Sequence, residues 1–194
     1  METLDSFSKD LLRETANIMA QKTVRPIENI LRQKTIVTKP EIMMQKMEFV
    51  ADSLGQADEI KDSVFIRILG GGHGAVVLLM KPEDSAKLLT DVDKDMRMDA
   101  LREIANIIAG ACLGGIARLL SLKLMQSVPT AATDMSRAIV NEIVSEIGMT
   151  NADLLCAQVS LSIGVDKIPL SMVFIFDNDT TNLIISKSKD LTKL

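Results

Sequence analysis

Apolar residues recur at three- and four-residue spacing in two long stretches of the chain, and this pattern predicts two long amphipathic helices. In the first, Leu12, Ala16, Met19, Thr23, Ile27 and Ile30 form the buried stripe, and Asp5 or Ser6 is a suitable N-cap. In the second, beginning near Met98, the apolar stripe is equally continuous. A third helix is expected from Asp134 to Ile147, where Ile139, Val140, Ile143, Val144 and Ile147 share a face and Gly148 closes the end. Strand-like runs lie at Lys34–Thr38, Val64–Leu69, Ala75–Met80, Lys123–Ser127, Leu155–Val165 and Pro169–Phe176. Gly70 to Gly74 joins the second and third of these as a hairpin turn. Residues Pro82–Thr90 read as a short helix with proline at its start, and Asp91–Asp95 as a connection. Glu41–Leu54 is ambiguous, but Met43, Met47, Val50 and Leu54 keep helical spacing, with Gly55 as a possible cap. A strand or a short helix is expected near Thr181–Ile185.

The two long helices are related to one another. Asp10 to Pro40 aligns with Asp99 to Pro129 at a constant offset of 89 without a gap, with twelve of thirty-one positions identical. The identities include Asp10/Asp99, Glu14/Glu103, Asn17/Asn106 and Pro40/Pro129. Pro26 in the first copy, which should kink its helix, faces Gly115 in the second, so bending or close helix approach is expected there. Leu170–Phe176 matches Gly74–Met80 at an offset of 96, the extra seven residues falling around the Asp134–Ile147 helix. The expected fold is α+β: one duplicated, pseudo-twofold domain over 1–194, with repeats at about 5–90 and 96–190. Two long helices would cover a shared, mainly antiparallel sheet. Neither half is of comfortable size for its own core.

Composition narrows the function. A net charge of −4 with five Phe and no Trp or Tyr offers neither a basic face for phosphates nor stacking platforms, which argues against nucleic acid. Cys112 and Cys156 lie in apolar runs and read as buried thiols. The most apolar window, Ile104–Leu124, contains Asn106, Arg118 and Lys123, a poor membrane span. The N-terminus METLDSFSKD is polar, unlike a signal peptide, so a cytoplasmic protein without membrane insertion is expected.

Asp10, Glu14 and Asn17 fall at i, i+4 and i+7, along two turns of one helix face, as do Asp99, Glu103 and Asn106. Asparagine is a poor mid-helix residue because its side chain competes for backbone hydrogen bonds, and its repetition implies a use. An amide cannot serve as a general base, but it can accept from and donate to a water and hold it in line with an electrophile. Phosphoryl transfer rewards such positioning. GGGHG (Gly70 to Gly74) lacks the Lys-Ser/Thr and helix of a phosphate loop, and His73 has no partner for metal or nucleophile chemistry.

The pattern D-x3-E-x2-N-x22-P, with the strings LLRETANIMA and LREIANIIAG, resembles the signature of the CheC/CheX/FliY family of chemotaxis phosphatases, here present twice. The resemblance implies hydrolysis of the aspartyl-phosphate of a CheY-type response regulator. Asn17 and Asn106 would orient the attacking water, and Glu14 and Glu103 would meet the regulator's active-site lysine. Asp10 and Asp99 would support the helix face, and Pro40 and Pro129 would end the strand beside each site. Mg²⁺ would be held by the regulator, with no cofactor and no metal site in this chain. The third helix corresponds to a docking region for the deamidase CheD, which implies Arg137, Asn141 and Glu142 near a partner surface. A non-catalytic adaptor binding CheD or a response regulator is the competing expectation. The chain departs from the family in having Ala16 and Ala105 where glycine often precedes the asparagine. A further family glycine is kept as Gly110 but replaced by Gln21 in the first copy. The second site is therefore expected to be the more active.

Overall fold

The computed structural model describes residues 5–38, 40–46, 50, 58–147 and 153–191. The first helix, α1 (Ser6–Leu31), starts where Asp5 accepts hydrogen bonds from the Ser8 backbone N–H and hydroxyl, both at 2.8 Å. It ends at Arg32, whose left-handed backbone (φ 55°) lets its N–H bond the Glu28 carbonyl. The helix continues through Pro26 rather than breaking there. Strands β1 (Thr35–Val37) and β2 (Glu41–Lys46) follow, then the hairpin β3 (Ile60–Gly70) and β4 (Gly74–Met80), and the short helix α2 (Pro82–Leu88). The second run begins with α3 (Arg97–Leu119) and continues with β5 (Leu124–Gln126), β6 (Thr130–Met135) and α4 (Ser136–Ile147). It ends with β7 (Asp153–Ile163), β8 (Ile168–Phe176) and α5 (Asn178–Leu191).

Three expectations need correction, and an open alternative at the C-terminus is resolved. Glu41–Lys46 is a strand, because pairing with β7 (Glu41 opposite Gln158 through Lys46 opposite Asp153) outweighs the helical spacing of its methionines. Met47, Leu54 and Gly55 lie outside the described residues, as does Gly148. Helix α4 begins at Ser136, and Asp134 belongs instead to β6, an unexpected strand paired with β3. Val165 falls outside β7, in a turn that Gly164 enters at φ 73°. The C-terminal element is a 14-residue helix, with Asp177 accepting from the Thr180 backbone N–H at 2.7 Å.

All strand pairs are antiparallel, in the order β1-β7-β8-β4-β3-β5, with β2 extending the β1 edge along β7 and β6 extending the β5 edge along β3. The short strands that follow each long helix thus pair with the hairpin of the other run. The register repeats between the two runs: Glu41 opposes Gln158, and Thr130, 89 residues after Glu41, opposes Phe65, 93 residues before Gln158, an offset between β3 and β7 that the sequence alignment did not include. Backbone hydrogen bonds repeat it, Thr38 N–H to the Ser160 carbonyl and Ser127 N–H to the Arg67 carbonyl, both 3.0 Å.

Alternation along the strands explains the two layers. Val64, Ile66, Val76, Leu78, Met172 and Phe174 point to the side covered by α1, α3 and α5. Phe65, Val77, Leu79, Val173 and Ile175 point to the other, where α4 packs with Ile139, Val140 and Ile143. β4 is buried along its whole length, which is why it reads as an unbroken apolar run. Gly74 opens β4, where a Cβ would run into the Ile175 carbonyl oxygen. A buried carboxylate, Asp62, joins three elements: it accepts from Thr133 of β6 (2.6 Å) and from Ser85 of α2.

Helices α1 and α3 lie against each other. The Cys112 thiol reaches the Met19 carbonyl (3.5 Å), and Lys22 crosses Gly115, where a Cβ would meet its Cγ at 3.2 Å. The expected close approach is present at Gly115, against Lys22. The segment Lys94–Leu119 is long and apolar enough to cross a membrane (mean hydropathy 1.4), and half of its apolar window is buried within this protein. α3 carries buried Leu101, Ile104, Ile108, Cys112 and Ile116 towards the sheet, as a core helix does.

Candidate functional site: paired acidic–amide helix faces

The 3.6-residue period that buries Leu12, Ala16 and Met19 turns Asp10, Glu14 and Asn17 outwards, and the same geometry on α3 turns out Asp99, Glu103 and Asn106. Both aspartates and both glutamates are exposed, and the two asparagines are half-buried. Ala16 and Ala105, directly before the asparagines, face the core at 2% exposure each, which leaves little room for a larger side chain. Each aspartate pairs with the arginine three residues on: Asp10 with Arg13 at 3.3 Å, Asp99 with Arg102. These exposed pairs add little stability. They do occupy the arginines, and Glu14 and Glu103 have no ion pair among the described residues.

The two faces differ at the asparagine. The Gln126 side chain of β5 reaches over α3, its Nε2 donating to Asn106 Oδ1 at 2.6 Å and to the Asn106 carbonyl at 3.1 Å. Its Oε1 is buried without a hydrogen-bond partner and lies against Gly110, where a Cβ would stand 3.3 Å away. At the first face the positions 89 residues earlier hold Val37, packed against the core, and Gln21, exposed. No side-chain hydrogen bond reaches Asn17 among the described residues. The space over Gly110 thus holds a side chain of this protein. Gln126 was not among the residues singled out from the sequence, although the constant offset sets it opposite an apolar valine.

Pro40 and Pro129 are half-buried and stand immediately before β2 and β6, after the ends of β1 and β5. Arg137, Asn141 and Glu142 are exposed on α4, the layer across the sheet from α1 and α3, so they do not join the acidic–amide faces. Burial pushes the Cys112 thiol up to about 12, which leaves it protonated and inert between the helices. Among the described residues no three His, Cys, Asp or Glu side chains gather as a metal-ligand set.

Twin helices laid over an antiparallel sheet form a fold also found in solved structures of FliY and CheX. The CheC-like family matches residues 96–132, which span α3, β5 and the first residues of β6. The chain is 26% identical over 164 residues to the CheY-P phosphatase CheC of Bacillus subtilis (strain 168), covering 78% of each. Its fold matches that of Thermotoga maritima FliY, with a TM-score of 0.77 at 16% identity, over 97% of this chain and 98% of that one. It also matches a chain of the CheX–CheY–BeF3–Mg²⁺ complex of Borrelia burgdorferi, with a TM-score of 0.54 at 17% identity, over 82% and 96%. By these matches the chain is similar to CheC-like proteins.

Proposed function

We propose that this chain hydrolyses the aspartyl-phosphate of a CheY-type response regulator, in the cytoplasm, as part of chemotaxis signalling. The observation that carries the reading is the outward Asp–Glu–Asn face on α1 and again on α3, each with an unpaired glutamate one turn before a half-buried amide. The similarity to a CheY-P phosphatase supports the choice of substrate. Glu14 and Glu103 are free to meet a cation on the partner, the active-site lysine that the family resemblance implies. Asn17 and Asn106 then hold a water against the phosphoryl group. The water oxygen forms a bond to phosphorus as the bond to the aspartyl oxygen breaks. The proton that the water gives up passes to a phosphoryl oxygen, and inorganic phosphate and a free carboxylate result. Because the transition state asks mainly for alignment and charge stabilisation, a neutral amide suffices. Mg²⁺ carried by the regulator would neutralise the phosphoryl oxygens. Two copies of the face on one chain, with strand registers that repeat between the two runs, support an internal duplication that supplies two sites.

Release of phosphate from a phosphorylated CheY-type regulator with Mg²⁺, with and without this chain, tests the reading. Binding without faster release would favour the other one, an adaptor for CheD or a regulator. That second reading is supported by the exposure of Arg137, Asn141 and Glu142 on α4, on the layer away from the amide faces.

A further inference from the structure

The contact between β5 and α3 assigns a role that the repeated motif does not contain. We propose that Gln126 is a positioning residue that clamps the Asn106 amide, so that the second face is preorganised and the first is not. The inference rests on the water-positioning reading of Asn106.

The Gln126 amide approaches two oxygens, Asn106 Oδ1 at 2.6 Å and the Asn106 carbonyl at 3.1 Å. Only an NH₂ group can face two acceptors, so the orientation of Gln126 is determined. It in turn determines that of Asn106, because turning the Asn106 amide over would set its NH₂ against the NH₂ of Gln126. With one lone pair of Oδ1 engaged, the other lone pair and the two N–H groups of Nδ2 are left for a water.

The clamp needs room on the helix, and Gly110, one turn after Asn106, supplies it. A side chain there would enter the space of Gln126 Oε1. The Oε1 atom is buried without a partner, a cost accepted at this one place on the face. The first copy lacks both parts together: Val37 has no donor, and Gln21 replaces the glycine. Asn17 therefore orders its amide only when a partner binds, an entropy loss that falls on the reacting complex.

The test uses the full chain in an Asn17→Ala background, where the second face alone acts. Gln126→Met keeps length without a donor, and Gln126→Glu keeps shape but sets acceptors against the two Asn106 oxygens. Both are expected to lower kcat for regulator dephosphorylation roughly tenfold or more, with KM unchanged within about twofold. The side-chain amide resonances of Asn106 should move towards those of Asn17 in the otherwise wild-type chain carrying Gln126→Met. An unchanged kcat in both variants, or a loss confined to KM, overturns the clamp while Asn106→Ala still abolishes turnover. If Asn106→Ala in the same background keeps full activity, the water-positioning reading fails and this inference with it. An unmoved Asn106 resonance in Gln126→Met overturns the clamp whatever the activity.

Discussion

Gln126 and Asn106 are joined by a 2.6 Å side-chain hydrogen bond that Val37, at the corresponding place relative to Asn17, has no atom to make. The difference gives a ranking of the two faces that rests on an internal contact. A glycine on a contacting helix suggests room for a partner's backbone. Here the room over Gly110 is taken by Gln126 instead, and the glycine and the glutamine form one device.

Separate substitutions should reveal the ranking. Asn106→Ala is expected to lower phosphate release from a phosphorylated regulator by roughly a hundredfold at its own site, the loss typical of removing one oriented polar group at a reacting centre. Asn17→Ala should leave most of the total rate, because the second face carries it. Equal losses in steady-state phosphate release would contradict the ranking, and the double variant should fall to the spontaneous rate.

The glutamates should act differently from the asparagines. Glu103→Gln removes a charge that no arginine in this protein shares, since Arg102 is taken by Asp99. The expected effect is on recognition: KM for the regulator rises severalfold, and added salt weakens the wild type more than the variant. A change in kcat alone, with KM and its salt dependence unaltered, would assign Glu103 to chemistry instead.

How far the sequence disclosed this arrangement depends on which interactions are local. α1, α3 and α4 were legible because each buries one face at helical period, and the β3–β4 hairpin because a glycine run separates two apolar stretches. β2 stayed ambiguous because its methionines fit a helix, while its pairing partner, β7, lies more than a hundred residues away. β6, with the sequence TAATDM and mostly exposed side chains, has no apolar alternation to reveal it. α5 has a single apolar run, Leu183–Ile185, inside a polar sequence, and it packs on α1 and β7. The polar triads were readable from their spacing alone. Gln126 was not, because its partner belongs to a helix and the contact exists only once the strand is laid over it.

Two glycine environments predict opposite outcomes for the same change. Gly74→Ala would drive a methyl into the Ile175 carbonyl oxygen, at the hairpin end of the β4–β8 pair. Backbone, not a flexible side chain, stands in the way, so destabilisation of about 3 kcal/mol or more or loss of soluble protein is expected. Gly114→Ala meets only Arg118 Nη1 at 3.7 Å and lies inside α3. It should be neutral or stabilise by up to about 1 kcal/mol through helix propensity. Urea unfolding midpoints of the two variants check both.

Core packing under the second face can be separated from its chemistry. Ile108 is fully buried on the sheet side of α3, two residues past Asn106 and away from solvent. Ile108→Ala should cost about 2–5 kcal/mol of stability, through lost transfer free energy and the cavity left behind. Below its melting range the variant should keep near-normal kcat. A drop in kcat as large as that of Asn106→Ala, in protein shown by circular dichroism to be folded, would mean that the helix rather than the amide carries the activity.

Acid stability has an identifiable contributor far from either face. Hydrogen bonds from Lys61 and Lys81, both 2.7 Å, hold the Glu59 carboxyl down to about 2 from the model-peptide value of 4.5. With the folded value depressed, the unfolded chain takes up the proton first on acidification. The contribution is therefore complete above about 4.5 and is lost as pH falls towards 2. The same contact raises Lys81, so the alkaline side works in reverse: that contribution is complete below the ordinary lysine value of 10.5 and is lost as pH rises past it. Glu59→Gln should flatten the pH dependence of the urea midpoint between about pH 4.5 and 2. The wild-type and variant curves should separate at neutral pH and converge in acid, and parallel curves across that window would refute the assignment.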